Sequence, residues 1–449
     1  MSEDELGFAG AAAIGLGGMI GGGVFSVLGV VVSIAGGAAW LAFTAASLVS
    51  MCAAYSYIKL NELGDEHGGS VTQIEQFLGN RDAAGMVGWT LLVGYVGAIA
   101  VYAFAFGGFA VELSPAWLRE AVPLPLRPTY SVFAVALFVV LNVVGARATG
   151  ASEKVLVGLK LVVLFGVSAW GLWYGATHDG LSFGFGRLDD LGLVTATAVS
   201  FVSFQGWQLL VYDYGSVRDP EETIPKAIYT SIVGAIVIDS MVAILVTSTV
   251  ATDVIRRQPE IAVARAVEPF LGSLGFVFVA VAALFSTGSA INGTLFSSAH
   301  FAKGMLADGL IPDRAGSADA DGAPERTLLV IGALAAAFTA YGSLDAITSF
   351  GSLAFMVVFG VMSFIAFTKR DAEGVNGAIP AVGVLGTGAF FPLLVFHLYT
   401  AQREVFWSVL AVAVVVVAVE LLYFEGERMV SGARSFERAL DARLPGRED

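Results

Sequence analysis

Two short stretches interrupt long apolar runs with groups that could bind a polar ligand. One lies at 20–23 within the apolar run 8–34, and the other at 204–208 within the run 192–214. Glycine weakens a helix interior by about 1 kcal/mol relative to alanine. Unpaired backbone groups survive in hydrocarbon only where they are buried in protein or line a cavity. We therefore predict two broken helices that share one binding site. Its residues are Ile20, Gly21, Gly22, Gly23, Phe204, Gln205, Gly206, Trp207 and Gln208.

The glycines of the first stretch also permit other interpretations. A dinucleotide fingerprint needs glycine at its first, third and sixth positions, but counting from Gly15 the sixth position is Ile20. The Gly-Lys-Ser/Thr end of a phosphate-binding loop is also missing. Gly17 and Gly21 have the spacing of closely packed membrane helices. Ligand binding and helix packing therefore both stay open.

Two ionisable side chains lie inside apolar runs. Lys160 lies in the run 153–175 and Asp239 in the run 226–250. Such residues are costly in a membrane and usually face a cavity or a partner. Lys160 could carry a proton, because burial disfavours the charged form, or its ammonium group could extend to the headgroups. For Asp239 we expect a polar contact with a neighbouring helix in preference to a coupling role.

The run 272–299 contributes further polar side chains. Ser286 and Thr287 could donate oxygen atoms to a sodium ion together with carbonyl groups of the first run, although hydroxyls are also common packing groups in membrane helices. Asn292 could form a helix–helix hydrogen bond or face a cavity. These residues offer an alternative ion site to Lys160.

The composition indicates an all-α membrane protein. The 449 residues are 56% hydrophobic and 14% charged, whereas soluble domains carry about 25% charged residues. A membrane-spanning helix needs about 20 apolar residues, and the runs lack the alternation of barrel strands. We predict twelve spans at 8–34, 37–59, 83–111, 128–145, 153–175, 192–214, 226–250, 272–299, 327–343, 347–368, 378–399 and 405–424.

The spans predict one transmembrane domain at 1–424 and a short charged tail at 425–449. The interrupted spans are the first and the sixth, as expected for two five-helix inverted repeats at about 8–175 and 192–368, with extra helices at about 378–424. Most loop lysines and arginines lie inside if the N-terminus is cytoplasmic. We therefore expect a multi-pass plasma-membrane protein with both termini in the cytoplasm.

Several classes of function are disfavoured. A net charge of −14 argues against nucleic acid as a partner. The single cysteine, Cys52, excludes an intramolecular disulfide, and the four histidines show no metal-ligand spacing. We expect no metal and no cofactor. The spans contain no catalytic constellation, so an enzyme is not expected.

Motifs along nearly the whole chain are similar to those of the amino acid–polyamine–organocation superfamily. Residues 20–25 resemble its first-span motif, Ile-Gly-Ser/Thr-Gly-Ile-Phe, and residues 201–208 resemble its aromatic-rich sixth-span motif. The loop 218–228 matches the Asn-Pro…Ile-Pro-Arg/Lys-Ala-Ile pattern. The eighth span and its exit match at 289–293 and 305–312.

The chain departs from the motifs at two positions. Gly22 replaces the usual Ser/Thr, and Gln208 replaces the usual glutamate. The resemblance implies a LeuT-like fold and alternating-access transport of an amino acid. Backbone N–H groups of one half-helix would bind its carboxylate, and carbonyl groups of the other would bind its ammonium. The glycines at 21–23 would allow unusual backbone conformations and close ligand approach. Because the two departures remove a hydroxyl and a charge, we expect a neutral, apolar substrate.

The resemblance also bears on ion coupling. In proton-coupled members of the superfamily a fifth-span lysine takes the place of sodium, and Lys160 matches that position, which implies proton symport. Sodium coupling through Ser286 and Thr287 and exchange without any ion remain alternatives. From another class, a channel or a non-transporting sensor is the rival. No ring of charge or filter loop favours a channel, and the tail is too short for a sensor's output domain.

Overall fold

The computed structural model describes residues 6–144, 150–178, 180–188, 190–212, 214–317, 323–419 and 421, without side chains for 150–156. Within these residues all regular elements are helical, apart from one isolated bridge between Leu6 and Val217. The tail predicted at 425–449 and the end of the twelfth predicted span lie outside the described residues.

The helices follow one another along the chain with short connections. They are α1 (Phe8–Gly22), α2 (Leu28–Ala35), α3 (Ala39–Leu63), α4 (Ser70–Leu78), α5 (Arg81–Leu113), α6 (Ala116–Ala121), α7 (Leu126–Val143), α8 (Gly150–Thr177), α9 (Leu191–Ser200), α10 (Leu209–Tyr212), α11 (Pro220–Thr249), α12 (Thr252–Arg257), α13 (Ala262–Arg265), α14 (Glu268–Ala307), α15 (Glu325–Tyr341), α16 (Leu344–Thr368), α17 (Ala378–Ala401) and α18 (403–419).

The described residues contain 9 helical segments that are long and apolar enough to cross a membrane. This confirms the prediction of an all-helical membrane protein. The segment Phe8–Leu63 includes two of the predicted spans, whereas α15, with 17 residues, and α18 are shorter than the others. The count of twelve spans and the inverted repeat stay predictions.

The most apolar segments divide into an inner and an outer group. Helices α1, α5 and the α9–α10 segment are mostly buried, while α7, α8 and α17 expose much of their surface. The exposed side chains of α8 include Leu159, Phe165 and Trp173. Helices that are apolar on all sides belong in a large core or a membrane. The outer helices therefore present the lipid-facing surface, and the inner ones are surrounded by protein.

The first predicted span is continuous, so the expected break there is wrong for this conformation. Helix α1 passes through a π-helical turn at Gly23–Val27 directly into α2. The N–H of Leu28 bonds to the carbonyl of Gly23, which is the i→i+5 pattern of a π-helix. Gly22 (φ −85°) and Gly23 (φ −62°) both have right-handed helical backbone. The wider turn absorbs the irregularity without unwinding the chain.

The break predicted in the sixth span is confirmed. After α9, a 3₁₀ turn at Phe201–Phe204 leads into Gln205, whose backbone is extended (φ −89°, ψ 156°). Gly206 then adopts φ +121°, a conformation that side chains disfavour. Helix α10 resumes at Leu209. The chain is therefore interrupted at the Gln205–Gly206 pair.

Two helices extend furthest beyond the predicted spans. Helix α11 begins at Pro220, not near residue 226, because proline is favourable at the first helical position and two glutamates follow it in the first turn. Helix α14 continues to Ala307, past the predicted end at 299, because Lys303 and the other polar residues there lower hydropathy without breaking a helix. Hydropathy locates the apolar segment, whereas backbone chemistry decides where the helix ends.

The side of the bundle remote from Leu6 is covered by the connection between α11 and α14. A Cβ on Gly29 would collide with the carbonyl of Pro259, and Gly108 is in contact with the Glu260 side chain. Nearby, Arg265 pairs with Glu112 at 3.2 Å. Burial raises the pKa of Glu260. The connection therefore fits closely over the start of α2 and the end of α5.

The half-buried Glu260 predicts a pH dependence of stability. Its pKa is raised in the folded protein, so between the ordinary and the raised pKa the folded state binds more protons than the unfolded state. The free energy of unfolding must then fall as pH rises through that interval. We expect Glu260→Gln to flatten this part of the pH profile of the unfolding temperature, whereas the same change at the exposed Glu120 should leave it unchanged. Parallel profiles for wild type and Glu260→Gln would contradict the prediction.

Candidate functional site

The interrupted sixth span contacts the backbone of α1 directly. A Cβ on Gly206 would lie 3.2 Å from the Cα of Gly18, and the reverse contact has the same length. The structure therefore brings the two predicted stretches together. The contact occurs one helical turn before Gly21, and Ile20 beside it is fully buried. Glycine is needed at 206 for its backbone conformation and at both positions for the close approach.

The glycines of α1 serve close packing against different helices. A Cβ on Gly21 would lie 2.7 Å from the Cβ of Ala290 on α14. A Cβ on Gly22 would collide with the ring of Tyr102 on α5. Gly23 faces α11 instead. The unusual backbone conformations that the sequence predicted as one reason for these glycines are not found, because none of the three has a positive φ.

A buried network of neutral polar groups surrounds the break. The amide of Gln205 donates to the hydroxyl of Tyr102. Oε1 of Gln208 accepts from the backbone N–H of Gly206 at 2.7 Å, and Nε2 of Gln208 donates to Tyr95 Oη at 3.4 Å. Because the usual glutamate is absent, none of these groups carries a fixed charge. The Gln208 side chain therefore already accepts the hydrogen bond of the Gly206 N–H, a backbone donor that a ligand would need.

Trp207 and Phe204 point away from the break. The Trp207 indole donates to Ser50 Oγ at 3.0 Å and packs against Tyr57 and Phe359, with ring centroids 5.3 and 5.0 Å away. Ser50 Oγ donates in turn to the carbonyl of Phe204 at 3.1 Å. These contacts tie the 3₁₀ turn to α3 and α16. In this conformation both side chains serve packing.

Lys160 is directed into the bundle. Its side chain is buried, and Nζ donates to the carbonyl of Gly17 at 3.0 Å. Extension to the headgroups therefore does not describe this conformation. The bond links α8 to α1 one turn before the glycines at 21–23. A hydrogen bond from a charged donor to a carbonyl is stronger than one from a neutral donor. The protonation state of Lys160 therefore sets the strength of the contact between α8 and α1.

The alternative ion site lies one turn further along the same face of α1, because Gly17 and Gly21 are four residues apart. A Cβ on Gly21 would be 3.1 Å from the carbonyl oxygen of Ser286. Ser286 Oγ has no partner within the described part of the chain. Thr287 Oγ1 donates to the carbonyl of Ala283 at 2.8 Å. Ser286 is thus available to a ligand beside α1, while Thr287 is occupied by its own helix.

Two polar side chains of undecided role are placed by the structure. Asn292 accepts a hydrogen bond from Asn142 at 2.8 Å, which links α14 to α7 as a helix–helix contact. Asp239 lies fully buried on α11, and neither carboxylate oxygen has a partner among the residues described. The polar contact that the sequence predicted for Asp239 is therefore not found there.

A cavity leads to the contact between α1 and the sixth span. It measures about 230 Å³ and lies between α1, α10 and α14, against Gly17 and Gly18. A second cavity of about 630 Å³ shares Leu209 and Phe296 with it and extends to Asp308 at the end of α14. Together they reach from the Leu6 side of the bundle to the predicted site.

The mouth of this passage contains an acidic group. Burial raises the pKa of Asp308, the nearby Arg81 lowers it, and Glu66 raises it further. Arg81 also donates to the backbone carbonyl of Asp308. These residues fix the end of α14 against the start of α5, so the passage has a defined rim.

Tyr95 and Tyr102 were missed at the sequence level. They are seven residues apart in the apolar helix α5, so they share one helix face. That spacing was the available signal. Their partners, Gln208 and Gln205, are distant in sequence, and only the packed structure pairs them.

We predict that Gly22→Ala destabilises the protein by about 1–3 kcal/mol, the usual cost of overpacking a core. The added methyl group would displace Tyr102 and break its bond to Gln205. The matched control is Gly166→Ala in α8, where a Cβ meets nothing within 4 Å. Thermal unfolding of the purified variants measures both effects. Equal unfolding temperatures for the two variants would contradict the packing role of Gly22.

Comparison with known proteins agrees with these observations. The chain matches the amino acid permease family over residues 6–420. It is 27% identical to an uncharacterised protein of Methanocaldococcus jannaschii, over 92% of this chain and 94% of that one. It is also 27% identical to the inner membrane transport protein YbaT of Escherichia coli, over 68% and 70% of the two chains. The fold is similar to a crystal structure of a manganese transporter mutant of Eremococcus coleocola, with a TM-score of 0.59, 13% identity and coverage of 93% and 92%. The chain belongs to the amino acid permease family, whose members are transporters and not enzymes.

Proposed function

We propose that this protein is a secondary active transporter that moves amino acids across the plasma membrane by alternating access. The observation that carries the proposal is a passage that reaches the α1–sixth-span contact from the Leu6 side, while the Glu260 connection covers the other end of the bundle. A site reached from one side at a time is what alternating access requires.

The proposed architecture is a LeuT-like bundle of twelve spans with two five-helix inverted repeats. The interrupted sixth span and the similarity of fold over most of the chain support it. Helices α15 and α18 fill the positions of the ninth and twelfth predicted spans. With both termini in the cytoplasm, the passage beside Leu6 opens inward.

The proposed substrate site lies where Gly206 meets Gly18. Separation of the two backbones would leave room for a ligand between them. The N–H of Gly206, held by Gln208 in this conformation, could then bind a substrate carboxylate. Backbone carbonyls at the interrupted segment would bind the ammonium group. A backbone site suits the part that all amino acids share, and the neutral amides of Gln205 and Gln208 suit an uncharged side chain.

The neutral surroundings of the break predict selectivity. We expect leucine or alanine to compete with a labelled neutral amino acid at least tenfold more strongly than arginine or putrescine, because a second positive charge would find no fixed counter-charge beside Gln208. Competition assays in proteoliposomes measure this. Stronger inhibition by arginine or putrescine would refute the neutral-substrate proposal.

For coupling, we propose that Lys160 carries a proton. As an ammonium group it holds the Gly17 carbonyl through a charge-assisted hydrogen bond. Loss of the proton would weaken this bond between α8 and α1, and α1 would then be freer to move. The rivals are sodium at Ser286 and Thr287, and ion-independent exchange.

We predict that uptake follows a proton gradient and not a sodium gradient. Lys160→Ala should lose gradient-driven accumulation and retain some substrate binding, because the lysine contacts the helix backbone at Gly17. Ser286→Ala is the matched control one turn further along α1, beside Gly21, and should keep proton-driven uptake. Uptake into proteoliposomes with separate pH and sodium gradients distinguishes the three mechanisms. Full accumulation by Lys160→Ala under a pH gradient would exclude Lys160 as the carrier.

A further inference from the structure

The carboxyl group of Asp239 is buried against the π-helical turn of α1. A Cβ on Gly23 would lie 3.2 and 3.3 Å from its two carboxylate oxygens, and 3.1 Å from the Cβ of Ser203 in the sixth span. Asp239 and Ser203 therefore meet at one point beside Gly23. Asp239 has no solvent exposure, and its two oxygens and Ser203 Oγ have no hydrogen-bond partner within the described residues.

Among the side chains that the structure describes on α1 and α8, one charged group, that of Lys160, lies on the side of this point. Neither α1 nor α2 contains a charged residue. On α8, Lys160 is bonded to Gly17, which is six residues before Gly23 and therefore about 9 Å away along α1. The ammonium group of Lys160 is therefore bonded to an earlier turn of α1 than the one beside Asp239. Asp239 therefore has no described partner on the α1 and α8 side.

The titratable groups of α3 and α13 lie further away. Ser240, next to Asp239, is 3.4 Å from Thr44 on α3. The titratable groups of α3 follow Thr44 by at least eight residues, or roughly 12 Å; they are Cys52, Tyr55, Tyr57, Lys59 and Glu62. On α13, Arg265 pairs with Glu112, beside the far end of α11.

The surroundings decide the charge of Asp239. An ionised carboxylate buried without a partner costs several kcal/mol, and such a group becomes neutral instead. A bound calcium or magnesium ion would need about six oxygen ligands, whereas the side-chain oxygens that the structure places around Gly23 without a partner are those of Asp239 and Ser203. The substrate's ammonium group would need space that Gly23 and Ser203 already occupy. A proton needs neither space nor further ligands.

We propose that Asp239 is a proton-binding site that is loaded when the π turn, the sixth span and α11 are packed together. The carboxylate takes one proton from a hydronium ion of the solvent, which leaves a water molecule and a neutral acid whose O–H can donate to Ser203 Oγ after a side-chain rotation. When α1 moves away from Ser203, water reaches the carboxyl group and the proton leaves. Only its part in transport rests on the proposed function: there Asp239 contributes a second coupled proton, separate from that of Lys160.

Infrared difference spectroscopy of the full-length protein in lipid tests the site directly. We expect a protonated-carboxyl band that is lost in Asp239→Asn, a neutral isostere, and kept in Asp253→Asn, which removes an exposed, ion-paired carboxylate. Identical carboxyl bands in wild type and Asp239→Asn at every pH would overturn the proposal. Should Asp239→Asn fail to fold, Ser203→Ala decides: a shifted band supports the site, and an unchanged band overturns it.

Transport measurements test the role of the second proton. Each coupled proton contributes about a factor of ten in accumulation per unit of pH gradient. We expect Asp239→Asn to exchange substrate at equilibrium but to accumulate about tenfold less than wild type under a gradient of about one unit. Wild-type accumulation by Asp239→Asn would refute the coupling role. If the wild type moves no amino acid, the proposed function fails, while the infrared comparison still decides whether Asp239 holds a proton.

Discussion

The close approach of other helices to α1 is the constraint on which the rest of the structure depends. Along one helix, Gly18 meets the backbone of the sixth span, Gly21 meets α14, Gly22 meets α5 and Gly23 meets α11. A Cβ would collide with its neighbours at Gly21 and Gly22 and would crowd them at Gly18 and Gly23. Lipid tails are as apolar as leucine side chains, so the hydrophobic effect does not drive membrane helices together. Close van der Waals packing between small residues takes its place. Close packing on several sides makes α1 the centre of the bundle.

The same packing brings polar groups together at the centre. With no side chain on α1 in the way, Lys160 reaches the Gly17 carbonyl and Asp239 reaches the π turn. One group is a cation with an acceptor, and the other is a carboxyl group without a described partner. Both depend on the position of α1. A movement of this helix would therefore change the hydration of two ionisable groups at once, which is how a conformational change can be linked to protons.

The two interrupted segments have different structural characters. In the sixth span Gly206 has a backbone conformation that other residues rarely adopt, so the interruption is fixed by local chemistry. The π turn of α1 keeps helical angles throughout and keeps the i→i+5 bond at Gly23. Such turns occur frequently at functional sites. We infer that the sixth span is the permanently broken element and that α1 is the one able to change.

The apolar run lengths determined the membrane class, and the glycine and glutamine residues at 205–208 located the sixth-span break. Those features are local, because hydropathy and the loss of a helical hydrogen bond depend on neighbouring residues only. The motifs also identified the family, since they preserve local chemistry along the chain. The sequence could not show that α1 stays helical, because a π turn and an unwound segment have the same glycine-rich composition.

Tertiary structure alone decided which groups meet. It turned Trp207 toward Tyr57, paired Tyr102 with Gln205, and left Asp239 unpartnered beside Gly23. These contacts join residues that are far apart in the chain, and each depends on helix rotation and separation to within a few tenths of an ångström. A local pattern fixes neither quantity. Packing in three dimensions fixes both, because a Cβ in the wrong place prevents the helices from meeting.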